Sequence, residues 1–451
     1  MRRHRIKNTF ASLRGNGINQ KTSNNLLRGI VLPGPMLIIP ILIIYGAVYS
    51  LEWFSPEYIG TLYIIIHLCA SGVMFATWRL NNTSLKALLI IGIVARVLLI
   101  ATPDITSNDS ERYLWDGAVA AAGFDPYTTP PDSHEVAELR ELWPTPAEHV
   151  KYATIYPPAS IALFAIAASA GPNIGPWVWK AMVIAASIAS LLLMAGILAR
   201  RKLSHHLSLF ALSPLLILEA GVGAHIDTFS VLAICAAIFA FDRARWLVTG
   251  LCLGIGAAIK FFPIVIAGPL ILASRAKDGA ALLLGALGIV VAIYATAFSI
   301  GYTPIGIIGE FLEKWRFGSP IFTALESLTG GRVLLAIIGI LAGLMLLLAA
   351  IAARRNRLVL AMTLALATPL TLSPAVFPWY LCLLVPMLAL RPSATLLAWV
   401  TTAPMGYIVL NGWLSAGVWQ PASWTLWVIA GAVAMGLSFD LREKSVRSPE
   451  Y

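Results

Sequence analysis

Long apolar segments recur along almost the whole chain, and they limit the possible fold more than any other feature does. Of the 451 residues, 58% are hydrophobic and only 12% are charged, and the mean hydropathy is +0.80. A soluble domain needs more polar surface than this, and a run of about 18 or more apolar residues is typical of a helix that crosses a membrane. The sequence therefore predicts an all-α polytopic membrane protein.

The bounds of the apolar segments divide the chain into one membrane domain and two tails. We predict a cytoplasmic basic tail over residues 1–28, an integral domain over residues 29–441 and a second cytoplasmic tail over residues 442–451. Helices in lipid pack on one another as a single bundle, so no further domain is needed. About fourteen transmembrane helices are predicted, at residues 30–50, 58–78, 86–102, 176–199, 206–223, 228–242, 246–259, 261–274, 279–301, 333–353, 358–373, 378–390, 394–412 and 423–440.

The distribution of basic residues predicts the orientation of this bundle. The net charge is +10, but Lys and Arg are scattered in small groups, which excludes the single basic stripe typical of nucleic-acid binding. Twenty-three of the 32 basic residues collect on one side, which the positive-inside rule makes cytoplasmic together with both termini. Arg96, Lys180 and Lys260 lie in or beside predicted helices. The external side keeps the remaining six: Arg112, Arg140, Lys151, Lys314, Arg316 and Arg332.

Two long polar segments lie on the predicted external side: the first loop, residues 103–175, and the second loop, residues 302–332. Within the first loop, the apolar stretch Tyr156–Ala170 is shorter than the roughly 20 residues that a spanning helix needs. If it crossed the membrane, the basic group Arg200–Lys202 would move to the outside, against the positive-inside rule. We therefore predict a juxtamembrane or re-entrant helix there.

The first loop contains a dense polar run, NDSERYLWDG, from Asn108 to Gly117. If this run is helical, Asp109, Arg112 and Asp116 lie on one face through their i, i+3 and i+7 spacing, with Tyr113 beside them. Such a face puts a carboxylate, which can act as a general base, next to a cation that stabilises a phosphate. The alternative is a solvated acidic loop in which Asp109 only caps the helix.

Four ionisable residues near the ends of apolar segments are further candidates. His225 and Asp227 lie at a predicted external turn, where they position a sugar hydroxyl, share a metal ion or simply form the turn; an HxD pair alone is a weak metal signal. Glu219 and Lys260 lie within apolar sequence, where an ionised group is costly and marks a functional candidate. Lys260 can equally extend its ammonium group to the lipid headgroups.

Several of these motifs occur together, and in order, in a known family. The polar run is followed by GFDPY at residues 123–127 and TIYPP at 154–158, and later by HID at 225–227, KFFP at 260–263, WRF at 315–317 and PWY at 378–380. This series resembles bacterial membrane glycosyltransferases of the GT-C superfamily, particularly the polyprenyl-phosphate-mannose-dependent mannosyltransferases. The matches run from about residue 100 to 390 and all fall on the predicted external side.

The resemblance implies a GT-C-like bundle with juxtamembrane helices in its first external loop. It also implies an inverting transfer of a sugar, in that family mannose, from a polyprenyl-phosphate carrier to a glycan or glycolipid acceptor outside the bacterial inner membrane. By position Asp109 is the catalytic base, and Arg112, Lys260 and Arg316 are the cations near the leaving phosphate. The scheme needs no cofactor and no metal ion. Substrate binding is assigned to the remaining polar and aromatic candidates: Glu111, Tyr113, Asp116, His149, Tyr156, His225, Asp227, Trp315, Trp379 and Tyr380.

Two alternatives share many of these features. A transporter or flippase of lipid-linked sugars would have a similar number of helices, but it would place charged residues near the bilayer midplane and repeat its two halves. A polysaccharide polymerase or ligase would differ mainly in its donor and acceptor. Each single aromatic candidate can also belong to the interfacial belt of a membrane protein instead of stacking on a sugar.

Overall fold

In a computed structural model the protein is helical throughout, and the structure describes residues 38–446. These residues form no strand and only an isolated parallel bridge between Phe317 and Ala375. The predicted tail over residues 1–28, the beginning of the first predicted transmembrane helix and residues 447–451 of the second tail lie outside the described residues.

The α-helices, in chain order, are α1 (Ile38–Gly46), α2 (Ile59–Leu80), α3 (Leu85–Leu98), α4 (Asp109–Ala121), α5 (Ala137–Leu142), α6 (Pro158–Ala168), α7 (Gly175–Arg200), α8 (Ser208–Ala211), α9 (Pro214–Gly221), α10 (Asp227–Phe241), α11 (Trp246–Ile259), α12 (Ala267–Ala273), α13 (Ala276–Ser299), α14 (Ile308–Lys314), α15 (Pro320–Leu328), α16 (Gly331–Arg354), α17 (Leu358–Leu372), α18 (Val385–Leu390), α19 (Ala394–Thr402), α20 (Val409–Ala416) and α21 (Ser423–Val446). Short 3-10 helices cover Ala47–Trp53, Pro56–Tyr58, His134–Val136, Ala147–His149, Ser204–His206, Phe262–Ile266, Pro378–Leu384 and Ala403–Ile408.

Six helical segments are long and apolar enough to cross a membrane: Pro56–Leu80, α7, α13, α16, Ala394–Ala416 and the part of α21 up to Arg442. Each coincides with a predicted transmembrane helix, which confirms the prediction of an all-helical membrane protein. The predicted count of fourteen is not confirmed. Elsewhere in residues 38–446 the predicted segments form apolar helices of at most 15 residues. Fifteen residues rise only about 22 Å, less than the roughly 30 Å of a hydrocarbon core.

Prolines explain why several predicted helices are broken. The predicted helix over residues 206–223 divides into α8 and α9 at Ser213, which takes an extended ψ of 113° before Pro214. A residue before proline disfavours the helical conformation for steric reasons. The segments that contain Pro263 and Pro378 likewise begin as 3-10 helices and become α-helical only later. Irregular backbone is therefore concentrated beside Glu219, Lys260 and Trp379.

The centre of the bundle is formed by α9, α10 and Pro378–Leu390. Every residue of α9 and of Pro378–Leu390 is buried. By contrast, only 11% of the most apolar stretch of α16 is buried, compared with 56% of that of α7. Helices α13 and α21 are similarly open, so their apolar side chains are available to lipid while the polar residues of the centre are enclosed by protein.

The first loop packs through its helices. Helix α4 lies against α6 and α7, with the Tyr113 ring stacked on Phe164 at 4.7 Å between centroids and edge-on to Trp179 at 5.3 Å. Gly117 makes the close approach possible, since a Cβ atom there would lie 2.3 Å from the Phe164 backbone. Helix α6 is the predicted helix within Tyr156–Ala170, and its 11 residues rise about 16 Å. This packing fixes the direction of α4, which begins at Asp109.

The two long loops are joined to each other. The Asp125 carboxylate in the first loop accepts hydrogen bonds from the backbone N–H and the hydroxyl of Thr303, at 3.0 and 2.8 Å. The Ile307 N–H donates to the Thr154 carbonyl at 3.3 Å. These contacts hold the beginning of the second loop on the first.

Candidate active site

Asp109 is the first residue of α4, and its carboxylate is held by its own helix. The Tyr113 hydroxyl donates to Asp109 Oδ2 at 3.2 Å, one turn further along, and the Asp109 N–H donates to Ser107 Oγ at 3.3 Å. Asn108, not Asp109, is the N-cap of the helix. The alternative in which Asp109 merely caps α4 is therefore wrong.

The surroundings of Asp109 suit a general base. Burial raises the pKa of its carboxyl to about 6, against the opposing effects of Lys260, the Tyr113 hydrogen bond and Arg112, while Asp227 also raises it. A carboxylate with a pKa slightly below neutral pH is ionised in most molecules, yet it accepts a proton more readily than an ordinary aspartate.

Lys260 and Asp227 form a buried ion pair beside Asp109. The Lys260 ammonium lies 2.8 Å from both carboxylate oxygens of Asp227, whose side chain is only 1% exposed. The same ammonium lies 3.8 Å from the centroid of the Tyr380 ring. Lys260 takes up this position because α11 ends one residue before it and its own backbone is extended, with φ −152° and ψ 133°. The structure thus brings three predicted site residues, Asp227, Lys260 and Tyr380, into one group.

His225 and Trp379 form a second layer behind this group. Their ring centroids are 4.0 Å apart, and Trp379 stacks on Phe377 at 4.6 Å. The fully buried His225 has Ser107 Oγ 3.3 Å from Nε2 and Glu219 Oε2 3.6 Å from Nδ1. His225 and Asp227 have different partners, Ser107 and Glu219 for the first and Lys260 for the second. Within residues 38–446 no group of three or more His, Cys, Asp or Glu side chains is arranged to hold a metal ion.

Arg112 lies one turn after Asp109 on α4 and is paired with other groups. Its Nε atom lies 2.9 Å from Asp116 Oδ1, and its Nη1 donates to the His149 carbonyl at 3.3 Å. Burial raises the pKa of the Asp116 carboxyl, and Arg112 opposes this effect. Arg112 also has a weak electrostatic effect on Asp109. Its principal contacts therefore hold the first loop against α4.

His149 and Glu111 lie at the rim of the group. His149 Nε2 is 3.2 Å from Asn108 Oδ1, and burial followed by the charge of Arg112 lowers the pKa of the imidazole to about 4. The imidazole is therefore neutral near pH 7. Glu111 has an exposed side chain, but protein atoms around its carboxyl displace part of the water there, and this desolvation, followed by the charges of Asp104 and Glu148, raises its pKa.

Two further predicted site residues are aromatic: Tyr156 in the first loop and Trp315 in the second loop. Tyr156 contacts Tyr113 edge-on at 5.2 Å, and so lies next to the Asp109 carboxylate. Trp315 contacts Tyr152 edge-on at 5.2 Å and thereby fastens the second loop to the first.

Arg316 is not brought into the group around Asp109. Its guanidinium binds Glu326 at 2.8–3.0 Å and lies 5.0 Å from the centroid of Phe322, so its contacts remain within the second loop. Both partners of this ion pair are more than a third exposed.

Sequence reasoning missed the residues that position α4 from behind. Lys180, near the beginning of α7, binds Asp104 Oδ1 at 2.9 Å and the Thr102 carbonyl, and Asp104 Oδ2 accepts a 2.5 Å hydrogen bond from Ser110. A lysine one turn inside an apolar helix was the only signal for this contact. Tyr407, whose hydroxyl donates to Glu219 Oε1 at 2.6 Å, carried no signal because it lies in an unremarkable apolar segment.

The fold and this group together define an all-helical membrane protein with a carboxylate, a cation and aromatic rings gathered around the beginning of α4. A model of the MptA/B family, described as alpha-(1->6)-mannopyranosyltransferase, N-terminal domain, matches residues 46–276, half of the chain. The chain belongs to this family and is a membrane glycosyltransferase of the mannosyltransferase type. The matched region contains Asp109, Asp227 and Lys260 but ends before Arg316 and Trp379. No curated protein matches the chain.

Proposed function

We propose that the protein is an inverting GT-C-type glycosyltransferase that moves mannose from a polyprenyl-phosphate carrier to a glycan or glycolipid acceptor. The observation that carries the proposal is the partly buried Asp109 carboxylate, with a pKa of about 6, next to the Lys260–Asp227 ion pair. Both lie in the region that matches the mannosyltransferase family.

In the proposed reaction Asp109 acts as the base. It takes the proton of the acceptor hydroxyl while that oxygen forms a bond to the anomeric carbon of the sugar. The bond between the anomeric carbon and the phosphate oxygen breaks at the same time, and the polyprenyl phosphate leaves as an anion. Tyr113 binds only Oδ2 of Asp109. This hydrogen bond orients the carboxylate and leaves Oδ1 for the acceptor.

Lys260 is the cation that we assign to the leaving phosphate. Of the three predicted cations, Lys260 lowers the pKa of Asp109 the most, and Arg112 lowers it less. Arg316 is not among the charges that shift this pKa. Asp227 accepts two hydrogen-bond contacts from the ammonium and fixes its position. A cation held in advance stabilises negative charge as it develops, in surroundings where water competes little.

The aromatic and polar residues around this group form the proposed substrate site. Tyr380 and Tyr156 lie beside Lys260 and Tyr113, where a ring face or a hydroxyl can contact a sugar. We place the site on the external face of the bacterial inner membrane, with both termini in the cytoplasm. The count of basic residues on the two sides of the predicted helices supports this orientation.

The test is transfer of radiolabelled mannose from polyprenyl-phosphate-mannose to a membrane lipid extract by the purified protein in detergent. We expect Asp109→Asn to insert normally into membranes and to lose about 10²–10⁴-fold in rate, because a general base contributes about that much. Asp132→Asn is the matched control, since Asp132 is an exposed aspartate of the same loop.

Three outcomes decide the proposal. An Asp109→Asn variant within threefold of the wild-type rate would refute the role of Asp109. Transfer from a different lipid-linked sugar in place of mannose would change the donor and keep the class. Movement of intact lipid-linked sugar across a vesicle membrane by wild type and Asp109→Asn alike, without sugar transfer, would support a flippase instead.

A further inference from the structure

A series of buried polar side chains leads from the centre of the bundle to Asp109. The Tyr407 hydroxyl donates to Glu219 Oε1 at 2.6 Å, and Glu219 Oε2 lies 3.6 Å from His225 Nδ1. His225 Nε2 lies 3.3 Å from Ser107 Oγ, which in turn accepts the Asp109 N–H at 3.3 Å. The side chains of Glu219 and His225 are at most 1% exposed. Burying a glutamate costs free energy that an apolar residue would not cost.

Ser107 is the residue of this series that links the imidazole to α4. Its Oγ atom lies 3.3 Å from His225 Nε2 and accepts the Asp109 N–H at 3.3 Å. A hydroxyl group can take part in both contacts at once. Glu219 Oε2 lies 3.6 Å from the opposite nitrogen of His225, which is beyond hydrogen-bonding distance, so Glu219 supports the imidazole by packing. The position of the imidazole therefore sets the position of Ser107 Oγ.

Steric contacts hold the imidazole in this position. Trp379 covers one side of the ring at 4.0 Å between centroids. Beside the Nδ1 edge of the ring, a Cβ atom at Gly223 would lie 2.5 Å from His225 Nδ1 and 3.0 Å from Glu219 Oε2. Only glycine fits at residue 223 while the Glu219–His225 contact is kept. The imidazole is thus packed closely against both Trp379 and Gly223.

The same unit also fixes the cation. The His225 N–H donates to the Glu219 carbonyl at 3.0 Å, and the His225 carbonyl accepts the Thr228 N–H at 3.2 Å. Asp227 lies between these two bonds and holds Lys260. The position of Glu219 and His225 is thus transmitted to the base through Ser107 and to the cation through the turn.

We infer that Tyr407, Glu219, His225 and Ser107 form a positioning relay, which sets the beginning of α4 so that the Asp109 carboxylate faces Lys260. Glu219 is a positioning residue that acts through His225 and Ser107, remote from the reacting atoms. The inference rests on the proposed function, because it supposes that Asp109 is the base. It assigns roles to Glu219, Tyr407 and Ser107, which have no place in the proposed chemistry itself.

The experiment compares Glu219→Gln, Ser107→Ala and the double variant in the mannose-transfer assay. Glutamine keeps the size of Glu219 but puts an amide N–H group in place of one carboxyl oxygen, next to the Tyr407 hydroxyl or His225 Nδ1, so the contacts that hold the imidazole and Ser107 change. We expect each single variant to lose about 10²-fold in kcat, because a displacement of about 1 Å costs that much. The KM for polyprenyl-phosphate-mannose should stay within about threefold of the wild-type value. The double variant should be no worse than the poorer single variant, since both interrupt one connected network.

Matched controls separate positioning from general damage. Glu138→Gln and Ser169→Ala change exposed residues of the first loop and should keep the wild-type kcat. Ser107→Thr retains the hydroxyl, so it should recover most of the kcat that Ser107→Ala loses. If Glu219→Gln does not fold, the Ser107 pair still tests the relay, because Ser107 lies in a loop before α4.

The outcomes distinguish this inference from the proposed function. Activity in Asp109→Asn would remove the base and, with it, the basis of the relay. An inactive Asp109→Asn together with unchanged kcat in Glu219→Gln and Ser107→Ala would overturn the relay alone. Losses that multiply in the double variant, or equal losses in Ser107→Thr and Ser107→Ala, would likewise overturn it.

Discussion

Two ion pairs of similar length, Lys260–Asp227 and Arg316–Glu326, lie in very different surroundings. Each has a closest contact of 2.8 Å, but the side chains of the first pair are 12% and 1% exposed and those of the second are 36% and 38% exposed. A charge that is removed from water acts strongly on its neighbours, whereas an exposed pair is screened. Lys260 accordingly lowers the pKa of Asp109, whereas the Arg316–Glu326 pair does not shift the pKa of Asp109. Burial beside Asp109 distinguishes Lys260 from Arg316, whose contacts are exposed and remain within the second loop.

The largest expected effect comes from breaking the buried pair. Lys260→Met should lower the transfer rate by about 10²–10³-fold, the usual cost of removing one group that stabilises developing charge. It should also destabilise the fold by about 3–5 kcal/mol, because the Asp227 charge stays buried without its partner. Transfer assays and thermal unfolding measure the two effects. Lys151→Met, at an exposed lysine of the first loop, is the control, and a Lys260→Met variant within threefold of wild type would contradict the comparison.

The pH dependence of the reaction sharpens the same comparison. Asp109 must be deprotonated to act as the base, and its pKa is about 6. We expect kcat/KM to rise about tenfold per pH unit below pH 6 and to level off above it. Because Lys260 lowers this pKa, the pH at which kcat/KM levels off should be higher in Lys260→Met. Arg316→Ala should leave this pH unchanged. If the pH is unchanged in both variants, a group other than Asp109 titrates.

The smallest effect is expected for the exposed pair. Arg316→Ala should change the transfer rate by less than about threefold and the stability by no more than about 1 kcal/mol, as for other exposed ion pairs. Glu326→Gln breaks the same pair from the other side and should behave alike. A loss of more than tenfold in Arg316→Ala alone would show that Arg316 reaches the substrate, as the family resemblance implies.

Much of the fold could be predicted because its signal is local. Apolar segments such as α7 and α16 can be recognised from their length and hydropathy alone. The beginning of α4 was also accessible, since the NDSERYLWDG run concentrates charge within ten residues. The breaks before Pro214 and within 378–390 were not anticipated, because both segments read as continuous apolar sequence although neither continues as one α-helix.

The site was predictable only in part, because it depends on contacts between distant residues. Helical spacing puts Asp109, Arg112 and Asp116 near one another, but it cannot tell that Arg112 binds Asp116 while Tyr113 binds Asp109. The contact of Tyr407 with Glu219 joins residues 188 positions apart, and no local pattern encodes it.

The sequence by itself determined that this is a helical membrane protein with a dense polar run, NDSERYLWDG, in an otherwise apolar chain, because hydropathy and charge are properties of neighbouring residues. The tertiary structure alone decided which charges are removed from water, and therefore that Lys260 acts on Asp109 while Arg316 does not. Burial depends on what packs around a side chain, and the residues that enclose Asp109, Asp227 and Lys260 come from α4, α10, α11 and Pro378–Leu390 at once.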